Sequence, residues 1–480
     1  MSRSTPPHEP GEVRLLEVLA ALSLATDLGM GQPLGHALRC ALIAGGIADE
    51  LSRPAADRAA TCYTALVRYV GCTSDAAEVA RFAGDEIALA AAVAPWVMGD
   101  AEQEERAAGV PGTPAAKAAA MAAHCEAAGL LVARLPLGPE MVAAVRGGFA
   151  RWDGAGYPPG LAGEEIPLPA RIAIVARDVE LWSRTGGPAA AVEVARERRG
   201  RAYDPRVVDA FCAAAPPLLA RAGAAGWDEL LAAEPFPLRV APAHLGELLE
   251  VLADFADAKV PAELGRSRLV SRLAGRAGGY LGLDGPTAAH AGLVADLGRA
   301  GVSTAVWAGQ GRLSLPEWEQ VRLHPYLSER ILSRSPGLRP LAAPAGAHHE
   351  RLDGSGYYRG VGAGELTLTQ QVVATADAYA TGTLLAEARA GRFDRQCADA
   401  VLAAAGEPVP PPPRWPAGLT DREVDVLRLA CRGQTKQGVA DRLGISAKTV
   451  NRHLESSYAK MGVSTRAAAA LFAMQHGLLG

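Results

Sequence analysis

The sequence predicts an all-α protein: two tandem, related helical domains followed by a small helical module at the C-terminus. Three observations carry that prediction. Nearly every periodic apolar run keeps the helical repeat, as in Val13 to Leu28, Leu34 to Leu51 and His244 to Ala258, and no stretch alternates convincingly as a strand would. The segment Arg151-Trp152-Asp153-Gly154-Ala155-Gly156-Tyr157 returns 200 positions later as Arg351-Leu352-Asp353-Gly354-Ser355-Gly356-Tyr357. A proline run from Gly406 to Pro416 then reads as an extended spacer before a new pattern of caps and stops. The expected domains are 12–240, 241–405, a linker at 406–417, and 418–480.

At 480 residues the chain is long for one core, and 49% hydrophobic with 21% charged residues is the composition of a soluble globular protein, which excludes a disordered chain. Ala- and Leu-rich runs such as Ala115 to Ala128 are broken by charge, Pro or Gly before about 18 apolar residues accumulate, so no membrane span is expected. Met1 to Gly11 is polar and lacks the apolar core of a signal peptide. Seven scattered cysteines without a CxxC pair argue against a disulfide framework or zinc ribbon and for a reducing, cytoplasmic compartment.

Both copies of the repeat continue alike: Arg201-Ala202-Tyr203-Asp204 before Val207 parallels Arg392-Phe393-Asp394 before Ala398. In the first copy Asp153 can cap a turn, while Gly154 and Gly156 can take positive φ. The second copy adds His348-His349-Glu350, and with Asp296, His324 and Asp377 it offers imidazole and carboxylate donors of the kind that iron, manganese or zinc select. The candidate metal ligands are therefore Asp296, His324, His348, His349 and Asp377. Spacing alone favours the plainer alternative, histidines that cap helices or sit in a polar core.

The C-terminal stretch is the most specific. Thr420 can cap a helix with Glu423 closing the box, and Val424, Leu427 and Leu429 follow until Gly433 stops the run. Lys436 to Leu443 forms a second short helix ended by Gly444. Ser446 then caps a third, Ala447 to Met461, with Val450 and Leu454 facing inward. Lys448, Thr449, Asn451, Arg452 and His453 crowd its start, with Lys460 near its end, and these residue types suit phosphates and base edges in a major groove. From residue 418 onward there are nine Lys and Arg against five Asp and Glu, a local charge of +4; with −4 for the whole chain, the preceding 417 residues carry −8.

Those residues, from Leu419 to Glu423, Gly444 to His453 and Lys460 to Ala467, resemble the LuxR-type helix-turn-helix over the whole module. The resemblance implies a double-stranded DNA partner and a fourth helix, about Arg466 to His476, that supports a homodimer. Gly438 departs from the family pattern, where a charged helix former is usual, and an interior glycine costs up to about 1 kcal/mol. Residues 243–404 resemble the HD-GYP family of helical metal-dependent phosphohydrolases that cleave cyclic di-GMP, through Trp307, Glu317 to Glu319, Arg322 to Tyr326, Glu329 to Leu332, His348 to Tyr357 and Asp377. Here the chain departs in a consequential way: the His-Asp pair is Ala295-Asp296, the early histidine aligns with Arg266, and Gly-Tyr-Pro reads Gly356-Tyr357-Tyr358.

Residues 12–240 resemble the same family in a more eroded form. His36, His124-Cys125-Glu126 and Gly156-Tyr157-Pro158 persist, but the His-Asp position is Arg68-Tyr69, the His-His-Glu position is Gly148-Phe149-Ala150, and the late aspartate position is Arg177. The expectation is a transcription regulator whose paired domains have lost catalysis and serve as a sensor of a nucleotide or other small molecule, or as a dimerisation scaffold, with no cofactor. The alternative is a phosphohydrolase that uses iron, manganese or zinc on the five candidate ligands.

Overall fold

The computed structural model describes residues 13–96, 109, 111–224, 226–234, 237–308, 312–409 and 415–479. The polar stretch Met1 to Gly11 and the part of the proline run from Pro410 to Arg414 lie outside them. Apart from an antiparallel ribbon of β1 (Val13–Arg14) and β2 (Arg239–Val240), the regular structure among the described residues is helical. In chain order the helices used below are α1 (Leu15–Gly29), α2 (His36–Glu50), α3 (Ala55–Val67), α4 (Leu168–Glu197), α5 (Pro205–Ala224), α6 (Pro242–Asp257), α7 (Arg266–Tyr280), α8 (Gly285–Val294), α9 (Leu315–Arg334), α10 (Leu368–Ala380), α11 (Arg395–Ala405), α12 (Asp421–Cys431), α13 (Lys436–Leu443), α14 (Ala447–Met461) and α15 (Arg466–Gln475). The helical spans read from Val13, Leu34 and His244 correspond to α1, α2 and α6.

Packing gathers these helices into two compact units. One takes in the chain to Gly265 together with Asp296 to Arg339; the other holds Arg266 to Ala295 and everything from Pro340. The division by packing thus differs from the division by repeat, because a stretch of the second copy packs with the first unit.

In the first unit α1 is buried on every side, as a helix apolar all round must be. Its Glu17 is buried, and it is satisfied by the N–H of Arg14 at 3.0 Å, the Ser335 hydroxyl at 2.9 Å and the N–H of Gly337 at 3.0 Å. The turn Leu297–Gly301 reaches α1 because Gly301 has no side chain: a Cβ there would lie 3.2 Å from Leu28 Cβ. A buried ion pair, Lys259 Nζ to Glu86 Oε1 at 2.7 Å, stitches the same region, with Glu86 also accepting from Ser303 and Thr304. One helix meets the length and composition of a membrane span. This is α5, whose Val207, Phe211, Ala215 and Leu219 are buried within the unit.

The second unit has its own apolar cluster from α7, α8, α10 and α11, built on Leu273, Ala277, Ala288, Val372, Val373, Cys397 and Val401. Two further clusters lie among α12 to α15. Leu419, Val424, Leu427, Met461, Ala469 and Ala473 form one; Val426, Leu429, Val439, Val450 and Leu454 form the other. Trp415, at the end of the expected linker, packs against the first of these and donates from its indole to Asp421 Oδ1 at 2.6 Å, so the module's structure begins there. All seven cysteines are free.

Candidate functional site

The repeated loop has one backbone design in both copies. Trp152 N donates to Ala202 O at 3.1 Å and Tyr157 N to Phe149 O at 3.0 Å; 200 positions on, Leu352 N donates to Arg392 O at 2.9 Å and Tyr357 N to His349 O at 3.1 Å. Asp153 and Asp353 each accept from the N–H two residues ahead, the Asx turn expected of them. Gly154 and Gly354 have φ of +78° and +72°. A Cβ on Gly156 or Gly356 would lie 2.5 Å from backbone atoms, so both positions require glycine.

Around the second loop, His349 stacks on Tyr357 with ring centres 4.7 Å apart, and its Nδ1 lies 3.6 Å from Asp377 Oδ2. The other Asp377 oxygen takes Arg266 Nη2 at 2.6 Å, so a guanidinium, not only a potential metal ion, answers this buried carboxylate. His348 is buried, with Nδ1 2.6 Å from Ala345 O; a carbonyl only accepts, so that nitrogen donates. Glu350 was read only as part of the histidine run. It accepts from the N–H groups of Arg359, Gly360 and Val361 at 2.8, 3.3 and 3.1 Å, which makes it the loop's internal brace. Burial pushes its carboxyl up while those three donors pull it down, with burial the stronger.

In the first unit, His324 is buried and donates Nδ1–H to Val321 O at 2.6 Å, and its Nε2 lies 3.3 Å from Asp296 Oδ1. Asp296 also has Arg299 Nη1 at 3.3 Å, itself paired with Glu263 and lying 4.4 Å over the Trp307 ring. For a metal ion the fit is divided. An Nδ1 tethered to a backbone carbonyl is how ligating histidines are oriented, whereas arginine beside Asp296 and beside Asp377 competes for the carboxylates.

The first copy's counterparts are filled in. Arg68 donates to Gly148 O through Nε and Nη2, at 2.9 and 2.6 Å, and to Tyr69 OH through Nη1 at 2.9 Å. The rings of Tyr69, His124 and Phe149 meet edge to face, and the Arg68 guanidinium lies 4.8 Å over Tyr69. Arg177, at the late aspartate position, pairs with Asp178, which also holds Arg198 and Tyr203. His36 and Cys40 meet Glu180, a residue that spacing did not single out, in a group whose donor atoms lie within 4.8 Å of one another. Glu180 receives His36 at 2.5 Å, Arg39 at 2.6 Å and Arg184 at 3.5 Å; burial opposes its charge, yet His36 and Arg39 hold it at about 2. Its oxygens are thus taken, and Cys40 Sγ lies 3.8 and 3.7 Å from the two ring nitrogens, beside the imidazole instead of along one lone pair. The group does not fit a metal ion.

The C-terminal helices match the sequence reading closely. Thr420 and Glu423 form the capping box, Ser446 Oγ accepts from Thr449 N at 3.1 Å, and Gly444 and Gly462 close α13 and α14 at φ of +63° and +69°. Gly438 is in the first turn of α13, where Thr435 Oγ1 caps its N–H at 3.1 Å, so the expected interior weakness falls on a helix end. On α14, Lys448 and Arg452 are exposed and Thr449, Asn451 and His453 half-buried. Asn451 accepts from Lys436 Nζ and donates to Glu455 at 2.7 Å. Lys460 is committed elsewhere: its ammonium sits 2.6 Å from Glu423 Oε2 and ties α14 to α12. Burial works against the Glu423 charge, but Lys460, Ser456 and Thr420 hold it at about 2.

Comparison with known proteins agrees with this geometry. The profile of bacterial regulatory proteins of the luxR family matches residues 417–473, and that of the HD domain matches 115–207 and 250–404, two spans that by themselves make just over half of the chain. The 3'3'-cGAMP-specific phosphodiesterase 3 of Vibrio cholerae is 27% identical over 393 residues, 76% of this chain and 85% of that protein. The transcriptional regulatory protein YdfI of Bacillus subtilis is 41% identical over 61 residues, 13% of this chain and 29% of its own length. A crystal structure of a cyclic GMP-AMP phosphodiesterase of V. cholerae shares the fold with a TM-score of 0.58 at 21% identity, covering 82% of this chain and 98% of that one.

Proposed function

The chain belongs to the HD-domain family and ends in a luxR-family regulatory module, and from that premise we propose that it is a DNA-binding transcription regulator whose two HD-type halves sense rather than hydrolyse. One observation carries the proposal: Ser446 caps a helix whose exposed start offers Lys448 and Arg452, while the Arg266 guanidinium holds Asp377. Lys448 and Arg452 would meet phosphate or guanine, Asn451 adenine, and Thr449 a phosphate or thymine methyl, with His453 beside them. Lys460 would act at one remove, by holding α14 against α12. Leu471 and Met474 of α15 are 57% and 63% exposed, which supports a homodimer through that helix and a two-fold DNA site. The DNA-binding module assigns the protein to the cytoplasm.

As a sensor, the second half would bind an anionic nucleotide with Arg266 supplying the positive charge that a metal supplies in a hydrolase. Alanine at both Lys448 and Arg452 should cut DNA affinity by about tenfold or more with an unchanged circular dichroism spectrum. Unaltered binding would remove the recognition-helix assignment.

A second reading, a phosphohydrolase acting on a cyclic dinucleotide, is favoured by the buried His324 and His348, each with Nδ1 held by a backbone carbonyl, and by the V. cholerae relative. Asp296 with His324, and His348 with His349 and Asp377, are the ligands it would use for iron, manganese or zinc, and the ion would activate a water for attack on phosphorus. Restoring Ala295→His separates the two. Wild-type hydrolysis as fast as that variant's would mean the second half is an enzyme.

A further inference from the structure

In the second compact unit, the glycine loop of the HD-type half is seated on the DNA-binding module. Asp353 Oδ2 lies 3.6 Å from Arg432 Nη1, just after α12. Gly362 and Gly364 bring the loop backbone onto the end of α13: a Cβ on Gly362 would be 3.5 Å from Arg442 O, and one on Gly364 only 2.7 Å from Asp441 O and 3.4 Å from Gly444 Cα. Nearby, Arg428 Nη2 donates to Arg389 O at 2.6 Å. The contact thus reaches the end of α13 and Gly444, the first residue of the turn that leads into α14.

That turn is where DNA must come. In a helix-turn-helix the first helix, here α13, crosses the phosphate backbone while the start of the second enters the major groove. A loop packed against Gly444, with the acidic side chain of Glu365 next in sequence, occupies the approach and adds like charge toward phosphate.

The first copy shows that this contact is not a by-product of the loop's shape. There Arg151 holds Asp153 at 2.9 and 2.5 Å, and the positions of Gly362 and Gly364 are taken by Ala162 and Glu164, whose carboxylate pairs with Arg206 at 2.8 Å. In the second copy Arg351 turns instead to Glu387 at 2.5 Å, so Asp353 is available to Arg392 and Arg432.

We infer that the loop from Asp353 to Glu365 and double-stranded DNA compete for one face of the module, so that the docked state is autoinhibited. The inference rests on the DNA-binding reading above. The same loop carries Tyr357, stacked on His349, which gives a ligand near Asp377 a short route to the module.

The test is fluorescence anisotropy of a labelled mixed-sequence duplex at low salt with the full chain and two variants. Gly364→Val wedges a side chain where only glycine fits, and Asp353→Ala removes the ion pair from an exposed loop without threatening the core. Both should tighten DNA binding, Gly364→Val by about tenfold and Asp353→Ala by about threefold. Adding the Lys448 and Arg452 alanines to Gly364→Val should abolish the gain. Equal affinity for wild type and both variants, with spectra unchanged, overturns the competition while leaving the regulator standing; no binding by any of them overturns both.

Discussion

In the first half a buried arginine, Arg68, closes over Tyr69, His124 and Phe149 and satisfies the Gly148 carbonyl; in the second, the corresponding stretch keeps His324, His348 and His349, with arginines set against the carboxylates. The loops beside these centres nevertheless share their internal hydrogen bonds at an offset of 200 residues, Tyr157 to Phe149 as Tyr357 to His349 and Gly163 to Trp152 as Ala363 to Leu352. The difference teaches that the loop is retained for folding: it braces the chain through Ala202 or Arg392 whether or not anything lies beside it to bind. What changed was the chemistry within reach. The first centre became core, whereas the second half kept histidines at 324, 348 and 349.

The sharpest way to break this comparison is to treat both centres as core. Arg68→Ala should lower stability by about 3 kcal/mol, because it removes a buried guanidinium and strands the Gly148 carbonyl. His349→Ala in the second half should cost within about 1 kcal/mol; thermal unfolding of the two variants gives the ratio. Equal losses would mean that the second centre is core as well.

Elemental analysis of protein purified without chelators sharpens the same contrast. We expect little metal in the wild type and more after Ala295→His, since the added imidazole restores a missing ligand. Stoichiometric iron, manganese or zinc in the wild type would give the second half back to hydrolysis.

Within the module, Glu423→Gln should cost about 1 to 2 kcal/mol by weakening the capping box and the Lys460 tie, read by urea unfolding. With its folded value at about 2, below the ordinary 4.5, the Glu423 contribution is present above about pH 4.5 and lost as pH falls toward 2.

The smallest effect concerns Asp425. Burial outweighs Arg422 and Arg428 and pushes its carboxyl up to about 6 from 3.8, with Asp394 adding to the rise. A raised acid favours the folded state when protonated, so this contribution is present below about pH 4 and lost as pH rises through 6. Asp425→Asn should flatten that part of the pH–stability curve of the second unit, and an unchanged curve would discard the assignment.

The C-terminal module was legible because its signals are local. Thr420 with Glu423, Ser446, Gly444 and Gly462 act within a turn of the residues they cap, so order in the chain determines them. The repeated loop was legible for the same reason, since Asx turns and positive-φ glycines are short-range devices. The role of Glu350 was hidden because its donors lie nine to eleven residues ahead, at no fixed period, and Glu180 was hidden because it is 144 residues from His36. The sequence by itself determined an all-helical chain, the repeat, the caps and the basic start of α14. Only the tertiary structure decided that Asp296 to Arg339 pack with the first unit, that arginines take the carboxylates, and that the second glycine loop sits on the DNA-binding module. Those outcomes depend on side chains and bare glycine backbones that meet across long sequence separations, which neither propensity nor spacing encodes.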